Sequence, residues 1–200
     1  ITLALGMRLL YVTKQVSFCH ITFYALGGYT SSLLVMKLGL PFGISFLAAG
    51  ILPAVIAALL MSAIAKVIGV YFFLVSFAFL AVMDSIFRYW RGLTGGVSGI
   101  KDIPPIMGWV EVTPNYYIIL AFTALAIFVF YRVWRSRFGV ELGAIGEADD
   151  LAEASGINVF RHRVRAFAIG ALFAGFAGSL YVHYMTHMTS RSYDMWFTIY

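Results

Sequence analysis

The chain is short of charge. Only 12% of its 200 residues are Asp, Glu, Lys or Arg, against 62% hydrophobic. Between Lys37 and Lys66 no residue is charged. A water-soluble domain of this size needs polar residues to cover its surface, and too few are present, so a soluble fold is excluded. Cysteine is nearly absent: Cys19 stands alone, which excludes an intrachain disulfide framework. Catalytic signatures are missing as well. There is no nucleophile elbow, no HExxH zinc motif and no pair of carboxylates at the core of two spans. The glycine-rich segment GLTGG at 92–96 lacks the GK[ST] that a phosphate-binding loop requires. The chain therefore reads as a non-enzyme with no cofactor of its own. If it performs energy-driven work, the nucleotide chemistry belongs to another chain. The net charge of +5 does not mark a nucleic-acid partner, because the basic residues sit beside apolar runs where membrane proteins carry them.

What is present is a series of apolar segments long enough for the bilayer, so the expected fold class is all-α, a polytopic helical membrane protein of about six spans. Ile1–Leu10 reads as the end of a first span, and the chain reads as a fragment at both ends. Val16–Met36 is a second segment, with His20, Gly27, Gly28, Thr30, Ser31 and Ser32 along it. Small and hydroxylated residues there predict contact with other helices in place of lipid. The third span lies between Lys37 and Lys66 and holds Pro53, which predicts a kink. The fourth, Val67–Phe87, carries Asp84 one turn before Arg88, a spacing that allows an ion pair. An acid in a span is nevertheless a functional candidate, so His20, Asp84, Arg88, Thr94 and Gly95 are candidates for a translocation pathway. Gly92–Pro114 reads either as a re-entrant or substrate-facing loop or as a turn-rich connector, and Asn115–Tyr131 is the fifth span. In the sixth, Ala166–Ser190, Gly170, Ala174 and Gly178 recur every four residues and predict a face for close helix packing. His183 and His187 are four apart near its end; with no acidic or cysteine ligand beside them, an interfacial polar cluster is expected in place of a metal site.

One long polar stretch interrupts this pattern. Arg132–Arg165 holds six basic and five acidic residues between two apolar spans. Within it, Glu147, Asp149 and Asp150 fall where a helix amino end favours negative charge, Leu151–Ala154 suit a helix, and Gly156 supplies its stop. A short helix on a charged membrane loop is a natural contact for a soluble partner, although the same charges suit a solvated connector. Placing this loop in the cytoplasm puts Arg8, Lys14 and Lys66 on the same side and leaves Lys37, Arg88, Arg91, Lys101 and Arg191 outside, in agreement with the positive-inside rule.

Three stretches carry a resemblance to a known family: VSFCHITFYALGGYTSSLL, GVYFFLVSFAFLAVMDSIFRYWRGLTGGVSGI and RSRFGVELGAIGEADDLAEASGINVFRHRVRAFAIGALFAGFAGSLY. In this order they resemble the permease subunits of branched-chain amino acid ABC importers, the LivM type. The resemblance implies that 1–200 is a single transmembrane permease domain with 132–165 as its cytoplasmic coupling loop. It implies import of branched-chain amino acids or a similar small polar solute across a bacterial cell inner membrane. It also implies cytoplasmic ATP-binding subunits, a second homologous permease subunit and an extracytoplasmic solute-binding protein as partners. Glu153, Ala154 and Gly156 occupy the pattern of the coupling-helix motif, and with Asp149 and Asp150 they are the expected contacts to the ATPase. Two positions depart from the family: Cys19 and Gly146 stand where glycine and arginine are usual.

Two other readings use the same residues. An ion-coupled secondary transporter or channel would employ Asp84, Arg88 and His20 as ion sites and need no ATPase. A membrane scaffold would account for the spans and leave the loop helix without a role.

Overall fold

The computed structural model describes residues 1–15, 17–65, 67, 69–106 and 112–189. Lys66, Arg191 and Ser190, used in the sequence reading, lie outside the described residues, as do Val16 and residues 107–111 of the connector. Among the described residues the fold is all-helical. The helices are α1 (Thr2–Val12), α2 (Cys19–Leu38), α3 (Phe42–Ile64), α4 (Val70–Tyr89), α5 (Arg91–Thr94), α6 (Val112–Arg135), α7 (Arg137–Glu147), α8 (Asp149–Ala154) and α9 (Val159–Met185).

Four of them, α3, α4, α6 and α9, are long and apolar enough to cross a membrane. α2 matches them in length at 20 residues, yet its serines, threonines, glycines and His20 make it more polar, and it is largely buried among its neighbours. α1, with 11 residues, is too short to span by itself. Where the sequence reading begins the second span at Val16, α2 starts at Cys19. Its approach is irregular because Phe18 N and Cys19 N donate to the side chains of Ser76 and Ser17. Gly39 closes α2 in the left-handed region at φ 61°, and Pro41 precedes α3, so the uncharged run 38–65 divides into a turn and one helix.

α9 is the axis of the bundle. α1, α2 and α3 pack on it where side chains are smallest. Gly170 faces Gly6 of α1 and His20, Gly178 lies over the Tyr24 carbonyl of α2, and Ala174 is fully buried between them. Gly175, which sequence periodicity did not single out, meets both Gly27 and the Ala49 carbonyl of α3. The reason lies in Pro53. A proline has no N–H to give the carbonyl four residues earlier, so the Ala49 oxygen lacks its helical donor. The backbone of Gly175 closes over that oxygen, and any Cβ there would collide with it. Lipid offers no apolar driving force between helices, so such close backbone approach is what holds the bundle.

The charged residues segregate to the two ends. At one end Lys14 Nζ bonds the Glu147 carbonyl at 3.4 Å, Arg8 lies over the Trp134 ring, and Arg163 reaches the Ala65 carbonyl. At the other, Lys37 Nζ bonds the Gly92 carbonyl at 2.8 Å. There the connector is pinned to the end of α9. Ile100 and Met188 exchange backbone bonds, and Ile103 N donates to the Thr186 carbonyl.

Arg132–Arg165 is not a loop with one helix. α6 carries Arg132 and Arg135 in its last turn, α7 and α8 follow, and α9 begins at Val159 instead of Ala166. α9 starts early because Asn158 Oδ1 accepts from Arg161 N and caps it. α7 exists because Phe138, Leu142 and Ile145, at helical spacing, face inward, with Leu142 and Ile145 in the main core. At the other boundary of α6, residues 112–114 belong to the helix and not to the connector.

Candidate functional site

The short helix α8 and its supports form the most specific surface of the chain. α8 spans six residues, with Asp149 and Asp150 in its first turn. Gly156 follows at φ +85°, Gly156 N donates to the Glu153 carbonyl and Ile157 N to the Ala152 carbonyl, which ends the helix in a left-handed cap. α8 has an inner and an outer face. Ala152 is 4% exposed and belongs to the core, whereas Asp150, Leu151, Glu153 and Ala154 are open, Leu151 at 70%. An open leucine between two acids on a six-residue helix has no role in packing this chain.

The inner face rests on Arg163, which the sequence reading left unassigned. Its guanidinium is buried, donates from one nitrogen to Asp149 Oδ2 at 2.5 Å and from another to the Ala65 carbonyl at 3.1 Å. One side chain thus ties α8 to the first turns of α9 and to the end of α3. Asp149 is turned inward to this bond, while Asp150 points away. α7 is tied to the same turn of α9. His162 Nε2 meets Glu141 Oε2 at 2.7 Å, its Nδ1 meets the Asn158 carbonyl at 2.8 Å, and its ring stacks on Phe138. Gly146 lies flush against the Val12 carbonyl of α1, which leaves no room for a side chain there. α7, α8 and the base of α9 therefore form one braced unit. The sequence signal for Arg163 was a lone arginine spaced one position from two others in the basic run 161–165, which charge counting alone does not separate from its neighbours.

The translocation candidates do not form one group. His20 is 1% exposed and wedged between Gly6, Gly170, Phe23 and Phe167, and neither ring nitrogen has a partner among the described residues. Asp84 and Arg88 form an ion pair at 2.8 Å on the open side of α4. Thr94 Oγ donates to the Phe87 carbonyl at 2.6 Å, with the Trp90 carbonyl also within reach at 2.9 Å, and Gly95, at φ 73°, packs against the Gly99 carbonyl. These four share the end of the bundle where Lys37 sits. His20 lies near the opposite end of α2, about 25 Å along its axis at 1.5 Å per residue.

His183 and His187 do not share a helix face, since α9 stops at Met185 and Thr186 takes φ 58°. His187 bonds the Met185 carbonyl. His183 is buried. Its Nδ1 donates to the Pro104 carbonyl at 2.7 Å, so Nε2 accepts from Ser31 Oγ, which in turn accepts from Ser179. This chain joins α2, α9 and the connector. Among the described residues no group of three or more His, Cys, Asp or Glu could hold a metal. A cleft of about 400 Å³ between α1, α2, α6 and α9 is ringed by Tyr24, Tyr116, Thr123, Tyr181 and Tyr184, hydroxyls spread over three helices that no local pattern connects.

A family model described as branched-chain amino acid transport system / permease component matches residues 1–200. The chain belongs to this family of permease components. It is 30% identical to the high-affinity branched-chain amino acid transport system permease protein LivM of Salmonella typhimurium, over 80% of this chain and 44% of that protein. It is 29% identical to LivM of Escherichia coli over the same shares. A shorter match, 31% identical over 42% of this chain and 26% of the relative, is to the guanosine ABC transporter permease protein NupQ of Bacillus subtilis. The chain spans less than half the length of these curated relatives. No solved structure matches it significantly. This permease component is a multi-pass membrane protein with four apolar spanning helices among its described residues.

Proposed function

We propose that this chain is the membrane-spanning part of an ATP-driven importer in a bacterial inner membrane, and that α8 is the lever through which a separate ATP-binding subunit moves it. The observation that carries this reading is the division of α8. Asp149 and Ala152 are fastened to the bundle, while Asp150, Leu151, Glu153 and Ala154 stand free on a helix too short to persist alone. Its location among the basic residues of one end suits the cytoplasmic face. A push on α8 passes through Arg163 to both α9 and α3, the two helices that meet at Gly175. The solute is a branched-chain amino acid or a similar small polar molecule, in keeping with the names of the relatives matched over most of the chain. A second homologous permease subunit and an extracytoplasmic solute-binding protein complete the assembly.

The test uses the assembled transporter in proteoliposomes. Leu151→Asp and Ala154→Trp alter only the open face. Loss of one interface anchor worth about 2 kcal/mol weakens ATPase docking by about 30-fold. Uptake of radiolabelled leucine per ATP hydrolysed should fall, with the permease still in the membrane. Uptake that persists in vesicles without nucleotide, and collapses with an ion gradient, would refute the ATP-driven reading.

A further inference from the structure

A polar pocket of about 500 Å³ opens beside the braced unit, between α7 and the base of α9. Arg137, Arg161 and Arg165 line it, together with His162 and Gly156. Its one acid, Glu141, already meets His162 at 2.7 Å and Arg137 at 3.5 Å. Arg161 and Arg165 have no acidic partner among the described residues. The pocket therefore holds three guanidinium groups against one carboxylate, above the amino end of a 27-residue helix whose dipole adds positive potential.

Its place relative to the apolar segments points to the ligand. The apolar span α6 ends at Arg135, and Arg137 opens α7 two residues later. Arg165 is followed directly by Ala166, where the apolar part of α9 begins. Both arginines therefore sit where a span leaves the hydrocarbon, the level of lipid headgroups. Arg165 lies one turn, about 6 Å, deeper than Arg161 along α9. Phe160, next to Arg161, is 47% exposed and offers an apolar surface beside the charges. We propose that this pocket binds the phosphate of an anionic phospholipid headgroup. The lipid clamps α7 to α9 and so stiffens the base on which α8 rests. The site does not depend on the identity of the solute or on ATP.

The test is native mass spectrometry of the purified transporter assembly, with its co-purifying subunits, and with phosphatidylglycerol or phosphatidylcholine added to the detergent. Each arginine near a headgroup contributes about fivefold in affinity, so Arg161→Gln with Arg165→Gln should lower phosphatidylglycerol retention by about 25-fold. Both residues are exposed, and Arg161→Lys with Arg165→Lys should keep the preference. The control pair, Arg132→Gln with Arg135→Gln, removes equal charge from the same end outside the pocket and should lower retention several-fold less than the pocket pair. Equal retention of the two lipids, or equal loss in the control pair, overturns the proposal. So does retention of inorganic phosphate with no preference for the lipid. Loss of a co-purifying ATPase from the glutamine pair with lipid retention intact also overturns it, assigning the arginines to a protein partner.

Discussion

Separating Asp149 from Arg163 should release α8 without unfolding the bundle. The size of the effect follows from where the two charges lie. An exposed pair contributes about 0.2–1 kcal/mol, and breaking a fully buried pair costs about 3–5 kcal/mol. Here the Arg163 side chain is 6% exposed and the Asp149 side chain 33%, so the bond is buried at one end and wetted at the other. A value near 2 kcal/mol is expected, between those limits. Asp149→Ala or Arg163→Met should then raise the open population of α8 by about 30-fold. Amide hydrogen exchange of residues 152–157 reads this directly, because those amides bond within α8 and its cap. The double variant should exchange little faster than either single one, a coupling that separates this bond from two independent losses. Arg163→Met alone should also loosen the end of α3, seen at the Val67 amide, because only that variant frees the Ala65 carbonyl. Single variants that accelerate exchange by less than about threefold, or two effects that simply add, would show that the Asp149–Arg163 bond does not hold α8.

Three further outcomes are expected. Gly175→Val should cost about 3 kcal/mol or more and reduce the yield of folded protein on size-exclusion chromatography, because its side chain would occupy the place of the Ala49 carbonyl. His183→Ala should cost about 1–3 kcal/mol by leaving buried Ser31 and the Pro104 carbonyl without their partner; faster proteolysis of the connector 99–106 is the readout. Asp84→Asn should change stability by about 0.5 kcal/mol or less, since its pair with Arg88 is a half-exposed contact within one helix turn. Uptake by the Asp84→Asn variant should stay near wild type, and a loss of ion-gradient dependence in it would instead favour an ion-coupled carrier.

Some of the fold and site was legible before any coordinates. Low charge in long apolar runs requires helices in a bilayer, because a backbone in hydrocarbon must satisfy its own hydrogen bonds. The small residues of α2 and the four-residue recurrence of Gly170, Ala174 and Gly178 marked helices that touch. The acids before Leu151 and the glycine at 156 marked α8, since caps and dipoles are local effects. α7 was legible in principle from Phe138, Leu142 and Ile145, but Gly139 and Gly143 between them are poor helix formers and masked the period.

What no local pattern contains is which residues meet across the bundle. Asp149 and Asp150 are neighbours with the same chemistry, and only the position of Arg163 makes one a brace and leaves the other free. Pro53 was visible as a helix breaker, but that its orphaned carbonyl is covered by Gly175 depends on how α3 crosses α9. His183 and His187 have helical spacing, and the end of α9 at Met185 parts them. Composition and periodicity determine which segments are helical and that they lie in a membrane, because those follow from each residue's own solvation and its near neighbours. Pairing between segments depends on crossing angles and close approaches set by the whole packed bundle, and that part the tertiary structure alone decided.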